Sequence, residues 1–361
     1  MRVRLPPLAP TRRRRLRTDR EAFEHFAAYE ALPASPLYAE LARIVARDAF
    51  LTSLASPRLA GEPPANMLFG AVHRLLVDRP DHPLAAFYGS MTPAPRPPAG
   101  VAPAFESFCR AQGPAIRRIV ATRRVQTNEA RRSGVLLPAL GVIARAEGAP
   151  IALVDVGTSA GFTLLVDRFR ITYGGAGANF STGPAGGRVA FTIEARGARP
   201  PPPPNGLVIS AAVGIDLLPV DPSDDESRRW LEALVWPEQA DRRERLVASL
   251  AEARAHPPRI VEGDAVDVLP AVLASLPAGA VPVVVHQHVL SKISDAGVRR
   301  IDDAIIEASR GRTIHRLGND FARSDGVVYE VEHRTYRGGA PDRSVIARCA
   351  PHASWIEWLG P

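Results

Sequence analysis

The sequence predicts an α/β fold: a doubly wound, mostly parallel sheet of seven strands, preceded by an all-helical cap. The first observation is that apolar residues recur at spacings of three and four through residues 19–148, which is the period of amphipathic helices. The second is a change after Pro150, where short apolar runs alternate with amphipathic stretches. Such alternation is typical of parallel strands joined by helices on both faces of a sheet.

The helical part is expected to form a cap domain over residues 20–149. Pro- and Gly-rich breaks separate its helices, notably PAPRPPAGVAP at 93–103. Its last helix is expected from about Asn128 to Glu147, because Gly148-Ala149-Pro150 is a combination that ends helices. The other helical segments are AFEHFAAYEAL, LYAELARIVARDAFLTSL, NMLFGAVHRLLVD and FESFCRAQGPAIRRIV.

The sheet domain is expected over residues 150–361. The linker YRGGAPD joins the last two strand candidates without a helix, which predicts an antiparallel hairpin at the end of the chain. The stretch at about 170–206 is rich in Gly and Pro, and we interpret it as a loop or hairpin inserted over the site. The seven strand candidates are 151–155, 207–213, 259–262, 281–286, 312–317, 327–333 and 344–349, and the helix candidates are 160–168, 223–234, 238–254, 265–275 and 295–309.

The net charge of +7 is confined to one end of the chain. Residues 1–20 contain eight arginines and one aspartate, and the remaining 37 basic and 37 acidic residues balance. We therefore expect a disordered Arg-rich tail at 1–19, and a folded body without the basic excess that nucleic-acid binding requires. Two cysteines give no disulfide framework and favour a cytoplasmic setting. No stretch approaches ~20 uncharged apolar residues, so no membrane span is expected.

The segment Asp155-Val156-Gly157-Thr158-Ser159-Ala160-Gly161 follows the first strand candidate and supports two interpretations. As D-x-G-x-x-x-G, its glycines allow close approach of the backbone to a ligand, so Asp155, Gly157, Thr158, Ser159 and Gly161 become candidate cofactor residues. As G-x-S-x-G, it matches the nucleophile elbow of serine hydrolases, with Ser159 as the nucleophile. The region before it is helical and offers no oxyanion loop such as HGGG, which disfavours the hydrolase.

Acidic residues follow the next two strand candidates. Asp216 lies after 207–213, where α/β folds that bind nucleotides often place an acidic residue on the ribose hydroxyls. Asp216 lies 61 residues after Asp155, whereas the usual interval between a glycine-rich motif and the acidic residue that binds ribose is ~20 residues. The insertion at 170–206 could explain the longer interval. Glu262-Gly263-Asp264-Ala265 ends the third strand candidate, and Asp264 could equally be the N-cap of the helix that follows.

Three further groups are candidates for the site. His286 and His288 end the fourth strand candidate, where a histidine can accept a proton from a hydroxyl or amine of a substrate. A third ligand is absent nearby, so no metal is expected. Gln126, Thr127 and Asn128 open the last cap helix, as caps or as ligand-binding side chains.

A helical cap followed by such a sheet resembles a class I S-adenosylmethionine methyltransferase. The resemblance implies that the loop wraps the amino acid end of S-adenosylmethionine and that a carboxylate at Asp264, beside Ala265, meets the adenine amino group. The Asn-Pro-Pro-Tyr type signature of nitrogen methyltransferases is absent, which argues against methylation of adenine or glutamine. The resemblance does not identify the substrate, and we expect the methyl acceptor to be a small molecule.

Seven separated motifs resemble, in order, a bacterial family of unknown function, number 2332, which is thought to have the methyltransferase-like fold. Two positions depart from its pattern: Thr163 stands where the family tends to have Asn, and Leu218 precedes Pro219 where Asn is expected. The motifs are VQTNEARRSGVLLPAL, VDVGTSAGFTLLVDRF, GIDLLPVDP, VWPEQADRRERL, EGDA, VVHQHVL and PHASWIEWL.

The sequence therefore favours a cytoplasmic methyltransferase that acts on a small molecule. Two alternatives remain open at this point. One is a catalytically degenerate methyltransferase fold that serves as a binding or structural protein, and the other is a serine hydrolase that uses Ser159.

Overall fold

A computed structural model describes residues 18–32, 34–175, 178–203, 207–320 and 328–360. The described chain divides into two compact units: one comprises 18–127 and 223–247, and the other comprises 128–222 and 248–360. Among the described residues the α-helices are α1 (Asp19–His25), α2 (Pro36–Arg47), α3 (Ala49–Ser53), α4 (Pro64–Val77), α5 (Ala102–Thr122), α6 (Arg131–Glu147), α7 (Asp225–Ala233), α8 (Ala240–Ala255), α9 (Ala265–Ala274) and α10 (Asp295–Ala308).

The first unit is helical and contains α1–α5, α7 and the first half of α8. Its buried core is aromatic at the centre, where the ring of Phe69 packs against Phe23, Phe26, Tyr38 and Phe105. The expected helical segments are all helical here. The sequence pattern did not indicate that α7, which lies far along the chain, joins them.

The N-terminal tail was expected to extend to residue 19. Residues 1–17 lie outside the described part, whereas Thr18 and Asp19 belong to the start of α1. Thr18 caps the helix reciprocally with Glu21, and Asp19 forms a paired hydrogen bond with the guanidinium of Arg58. The first turn of α1 therefore begins inside the expected tail.

The second unit is built on one mixed, mostly parallel sheet, which confirms the α/β class. The described strands lie in the order β3-β2-β4-β11-β10-β9-β8-β7-β1-β5-β6. They are β1 (Ile151–Val156), β2 (Arg170–Gly175), β3 (Ala178–Thr182), β4 (Ala190–Gly197), β5 (Ile209–Asp216), β6 (Ile260–Glu262), β7 (Val281–His286), β8 (Ile314–Gly318), β9 (Tyr329–Tyr336), β10 (Asp342–Cys349) and β11 (Trp355–Trp358).

The prediction of seven strands was wrong, because the described sheet has eleven. All seven candidates are present, and β9 and β10 do pair antiparallel, but β11 follows and extends the edge. The rest of the extension comes from the segment interpreted as a loop or hairpin, since β2, β3 and β4 lie within about 170–206. β2 and β3 do pair antiparallel as a hairpin, but they and β4 belong to the main sheet. β4 alternates buried and exposed residues along AFTIEARG, the period-2 pattern of a half-buried strand.

Helices pack against the sheet in two places. Even-numbered residues of β1, such as Val154, share a buried cluster with Leu269 of α9 and Ile305 of α10. α6 packs closely against β4 and β2, because Gly134 leaves room for Ile193 and its carbonyl accepts a hydrogen bond from the Tyr173 hydroxyl. α6 therefore groups with the sheet, although the sequence placed it with the cap, and the units divide between residues 127 and 128.

Within the described residues, no helix combines the length and apolar character needed to cross a bilayer.

Candidate functional site

The loop after β1 adopts a conformation that ordinary residues rarely take. Gly157 and Gly161 both have φ of +77°, and Ser159 between them has φ of +51°. A Cβ atom on Gly157 would lie 2.6 Å from Cγ2 of Val289, which follows β7. The sequence predicted that a ligand would require this glycine, whereas the structure shows that the packing of Val289 already requires it.

The loop is held by hydrogen bonds from two polar side chains. Asp216, at the end of β5, accepts from the backbone N–H of Ser159 at 2.8 Å and from that of Leu218 at 2.9 Å. Asn128 donates to Ser159 Oγ at 3.0 Å and accepts from the backbone N–H of Ala160 at 3.1 Å. The structure therefore brings Asn128, Ser159 and Asp216 together, although they are far apart in sequence.

Asp155 is a buried carboxyl at the end of β1. Its Oδ2 accepts a hydrogen bond from the Thr158 hydroxyl at 2.8 Å. Burial raises its pKa from 3.8 to about 7; hydrogen bonds from Thr158 and Thr163 lower that pKa, and the charge of Asp216 raises it. Asp155 consequently changes its protonation state near neutral pH.

This pKa predicts a pH-dependent stability. Between about pH 4 and pH 7 the folded chain holds a proton on Asp155 that the unfolded chain has released, so the free energy of unfolding falls as pH rises and levels off above about pH 7. The full change is about 4 kcal/mol by the pKa difference. Urea unfolding at pH 5 and pH 8 should show that Asp155→Asn, which has the same shape, removes this part of the pH dependence. Parallel pH profiles of the two proteins would contradict the assignment.

His286, the last residue of β7, is engaged at both ring nitrogens. Nδ1 hydrogen-bonds Asp320, and Nε2 accepts from Nε–H of Arg316 at 2.7 Å. Because Nε2 accepts a hydrogen bond from Arg316, it carries no proton and the ring is neutral. Burial also favours the neutral ring, because it lowers the pKa of His286. Burial alone would raise the pKa of Asp320. The hydrogen bonds from His286 and from the backbone N–H groups of residues 289 and 290 lower it by more, so the net pKa is below its usual value and the carboxylate is ionised. His286 therefore has no free lone pair for a substrate.

His288 is placed differently. It has φ of +58°, its ring packs edge-on against Tyr329 at 4.4 Å between centroids, and its Nε2 has no hydrogen-bond partner among the described residues. Burial lowers its pKa to about 3, and the charges of Arg132 and Lys292 act in the same direction. His288 is consequently neutral at physiological pH, with a nitrogen available to a ligand.

Two amides that the sequence did not single out lie beside His288. Gln287 Oε1 and Asn319 Oδ1 are buried without a hydrogen-bond partner in the described part of the chain. A sequence signal for both existed: Gln287 separates the two histidines, and Asn319 is the second residue after strand candidate 312–317. The rule that selected His286 and His288, polarity at the carboxyl end of a strand, selects these amides as well.

Asp264 is the N-cap of α9, where its Oδ1 accepts from the backbone N–H of Val266 at 2.9 Å. Its carboxylate is exposed at the end of β6, and Ala265 behind it is buried. Gly263 N–H donates to the Asp216 carbonyl at 2.9 Å, so this turn adjoins the end of β5. The N-cap interpretation of Asp264 holds, and one face of its carboxylate remains open to solvent.

Gln126, Thr127 and Asn128, which were expected at the start of α6, do not lie in one unit: the boundary falls between Thr127 and Asn128. The helix begins at Arg131 after Ala130, with no side-chain cap, so the N-cap prediction for Thr127 or Asn128 was wrong. Asn128 is drawn into the loop after β1 instead. Gln126, half-buried, and Thr127, exposed, belong to the helical unit.

Two absences within the described ranges bear on the chemistry. No group of three or more His, Cys, Asp or Glu side chains is arranged to hold a metal ion. No histidine hydrogen-bonds to Ser159, whose Oγ instead accepts from Asn128.

Cys109 and Cys349 are both free and buried.

Comparison with known proteins identifies one family. The family described as "Uncharacterized protein conserved in bacteria (DUF2332)" matches residues 20–358, which confirms the resemblance indicated by the motifs. No curated protein matches the chain. Among solved structures, the CcbJ methyltransferase from Streptomyces caelestis is similar with a TM-score of 0.19 and 10% sequence identity, over 62% of this chain and 75% of that one. A similarity of that size does not bear on function.

Proposed function

The chain belongs to the bacterial family DUF2332, and from that premise we propose that it is an S-adenosylmethionine-dependent methyltransferase acting on a small molecule. Support comes from where the loop after β1 lies in the sheet. β1 pairs with β5 on one side and with β7 on the other, both parallel. The chain builds β5 and β6 on the first side and then crosses to β7 and β8. In open α/β sheets, ligands bind beyond the carboxyl ends of strands at such a reversal.

The residues at this edge fit the proposed cofactor. The ribose of S-adenosylmethionine carries hydroxyl donors, and a carboxylate oxygen has two lone pairs. Each oxygen of Asp216 accepts one backbone N–H, so each retains acceptor capacity for a ribose hydroxyl. Asp155–Gly161 would hold the amino acid end, and Asp264 with Ala265 would lie near adenine.

The proposed cofactor supplies a methyl group on a positively charged sulfur. The chain's own contribution is to place the acceptor molecule in line with it, since holding reactants in the correct geometry lowers the barrier most in such a transfer. The neutral ring of His288 accepts a hydrogen bond at Nε2 from the nucleophilic hydroxyl or amine. That hydrogen bond orients the acceptor. Because the pKa of His288 is about 3, its ring takes up the proton only after methyl transfer has made the acceptor oxygen strongly acidic. His286 acts on His288 only indirectly, by fixing the end of β7.

One observation favours a serine hydrolase. Ser159 has positive φ between two glycines, as the strained nucleophile of an elbow does. The hydrogen bond from Asn128 to its Oγ opposes that function, because a nucleophile needs a histidine at that position.

The proposal is tested by the cofactor that accompanies the protein. The full chain, purified without added cofactor and denatured, should release S-adenosylmethionine or S-adenosylhomocysteine, detected by mass spectrometry in amounts close to the protein concentration. Asp216→Ala should reduce the amount, since the ribose loses its acceptor and the loop loses a backbone contact. Protein that carries neither compound and binds neither when they are added would refute the proposal.

A further inference from the structure

Three buried polar side-chain atoms belong to the segments that follow the neighbouring strands β7 and β8. They are Gln287 Oε1, His288 Nε2 and Asn319 Oδ1, and the described residues supply a hydrogen-bond partner to none of them. Buried polar atoms in native proteins are almost always paired, because an unpaired one loses its hydration without compensation. The two amide oxygens can only accept, so they indicate a ligand that donates hydrogen bonds.

The strand register places the two amides on the same face of the sheet as Asp155, next to the loop after β1. Asp155, Val285 and Leu317 are aligned across β1, β7 and β8. Side chains alternate along a strand, so Gln287 and Asn319 occupy the next positions on that same face. Contacts agree with the register, since Asn319 N–H donates to the His286 carbonyl at 3.4 Å and the Gln287 side chain reaches Thr163.

The contacts of each amide show which end remains unpaired. The Gln287 amide nitrogen donates to the Thr163 hydroxyl at 3.5 Å, and the Gln287 carbonyl oxygen is left without a partner among the described residues. The Asn319 amide nitrogen contacts the Cys349 sulfur at 3.6 Å, and its oxygen is left in the same way. Asn319 is only 1% exposed, so bulk water does not hydrate that oxygen.

We propose that the methyl acceptor is a neutral or cationic small molecule rich in hydrogen-bond donors, of the polyhydroxylated or amino-substituted class, and that Gln287 and Asn319 select it. This inference rests on the proposed function. A carboxylate or a fully ionised phosphate has no hydrogen to donate to these oxygens, whereas each hydroxyl or amino group has at least one. One donor binds His288 and becomes the methylated group, and its neighbours bind the two amides.

The first test needs no ligand. Asn319→Leu removes an unpaired buried oxygen at nearly constant volume, and the Tm should stay unchanged or rise by about 1–3 °C. Asn128→Leu is the matched control, because it removes an amide with two hydrogen bonds and should lower the Tm. If Asn319→Leu lowers the Tm as much as Asn128→Leu does, Asn319 is a structural amide and the inference is wrong.

The second test compares sugars and cyclitols that are rich in hydrogen-bond donors with a sugar whose hydroxyl groups are all methylated. Saturation-transfer NMR on the full chain should detect methyl glucoside, glucosamine or myo-inositol, and should not detect the tetra-O-methyl derivative of methyl glucoside. Gln287→Leu and Asn319→Leu should each weaken binding of a detected probe about 3- to 10-fold. Equal binding of the methylated derivative, or no binding of any donor-rich probe, would overturn the inference. Calorimetry with S-adenosylhomocysteine on the same preparation tells the two failures apart. If S-adenosylhomocysteine binds and the donor-rich probes do not, only this inference fails; if S-adenosylhomocysteine does not bind, the proposed function fails.

Discussion

Replacement of Gly157 by alanine is expected to weaken the binding of S-adenosylmethionine by roughly 5- to 100-fold. The new Cβ would lie 2.6 Å from Val289, and φ of +77° is unfavourable for alanine, so the turn moves or strains at a cost of ~1–3 kcal/mol. Because Val289 follows His288, the strain spreads from the loop after β1 to the end of β7. Calorimetric titration of the wild-type chain and the variant measures the effect.

Gly148→Ala is the matched control for Gly157→Ala. Gly148 also has positive φ, at +64°, but a Cβ there meets nothing within 4 Å. Its replacement should cost about 1 kcal/mol of stability through the backbone alone and should leave cofactor affinity unchanged. Equal loss of affinity in both variants would mean that general destabilisation, and not the geometry of the loop after β1, explains the result.

The two histidines are expected to respond in opposite ways to alanine substitution. His286→Ala should lower the free energy of unfolding by about 3–5 kcal/mol, because it leaves a cavity and removes the hydrogen bonds that the ring makes with two buried charged groups, Asp320 and Arg316. His288→Ala should change stability by only about 1 kcal/mol, since no hydrogen bond to Nε2 is lost. Urea unfolding of both variants measures the difference.

Methyl-transfer activity should show the reverse: His288→Ala should lose more activity per folded molecule than His286→Ala. His288→Ala should reduce the transfer of a labelled methyl group into the small-molecule fraction of a bacterial extract by ~10²–10⁴, with S-adenosylhomocysteine affinity nearly unchanged. His286→Asn is informative here, because it retains a polar side chain next to Asp320, and any activity it loses should follow its loss of folded protein. A His288→Ala variant that unfolds as readily as His286→Ala would assign His288 a structural role.

Strong local patterns made the central sheet predictable. β1 and β7 are continuous apolar runs that are buried on both faces, and such runs indicate parallel strands. β2, β3 and β4 were missed because their glycines and the neighbouring prolines are typical of loops. What makes them strands is pairing, since β2 lies between β4 and β3 and β4 pairs with β11, which comes about 160 residues later. A local pattern contains no information about a partner that distant.

The positions of Asp155, Asp216 and His288 at the ends of strands were predictable, because each strand is a local pattern in the sequence; their roles toward a ligand stay predictions. The candidate site was not predictable where a contact crosses the sheet. Nothing in the sequence pairs Asn128 with Ser159, or His286 with Arg316 and Asp320. The same limit applies to α6, whose helical period was evident but whose grouping with the sheet depends on the contact between Gly134 and Ile193.

The central claim is that the loop after β1 binds S-adenosylmethionine and that Ser159 is not a nucleophile. Calorimetric titration of the full chain with S-adenosylmethionine, beside labelling by a fluorophosphonate probe, tests it directly. We expect a saturable heat with a stoichiometry near one, no labelling of Ser159, and only a modest loss of affinity in Ser159→Ala, which removes one hydrogen bond worth ~0.5–1.5 kcal/mol. Absence of heat together with probe labelling that Ser159→Ala abolishes would establish the hydrolase. Absence of both signals would leave a degenerate fold that serves as a binding or structural protein, and either result would contradict the account.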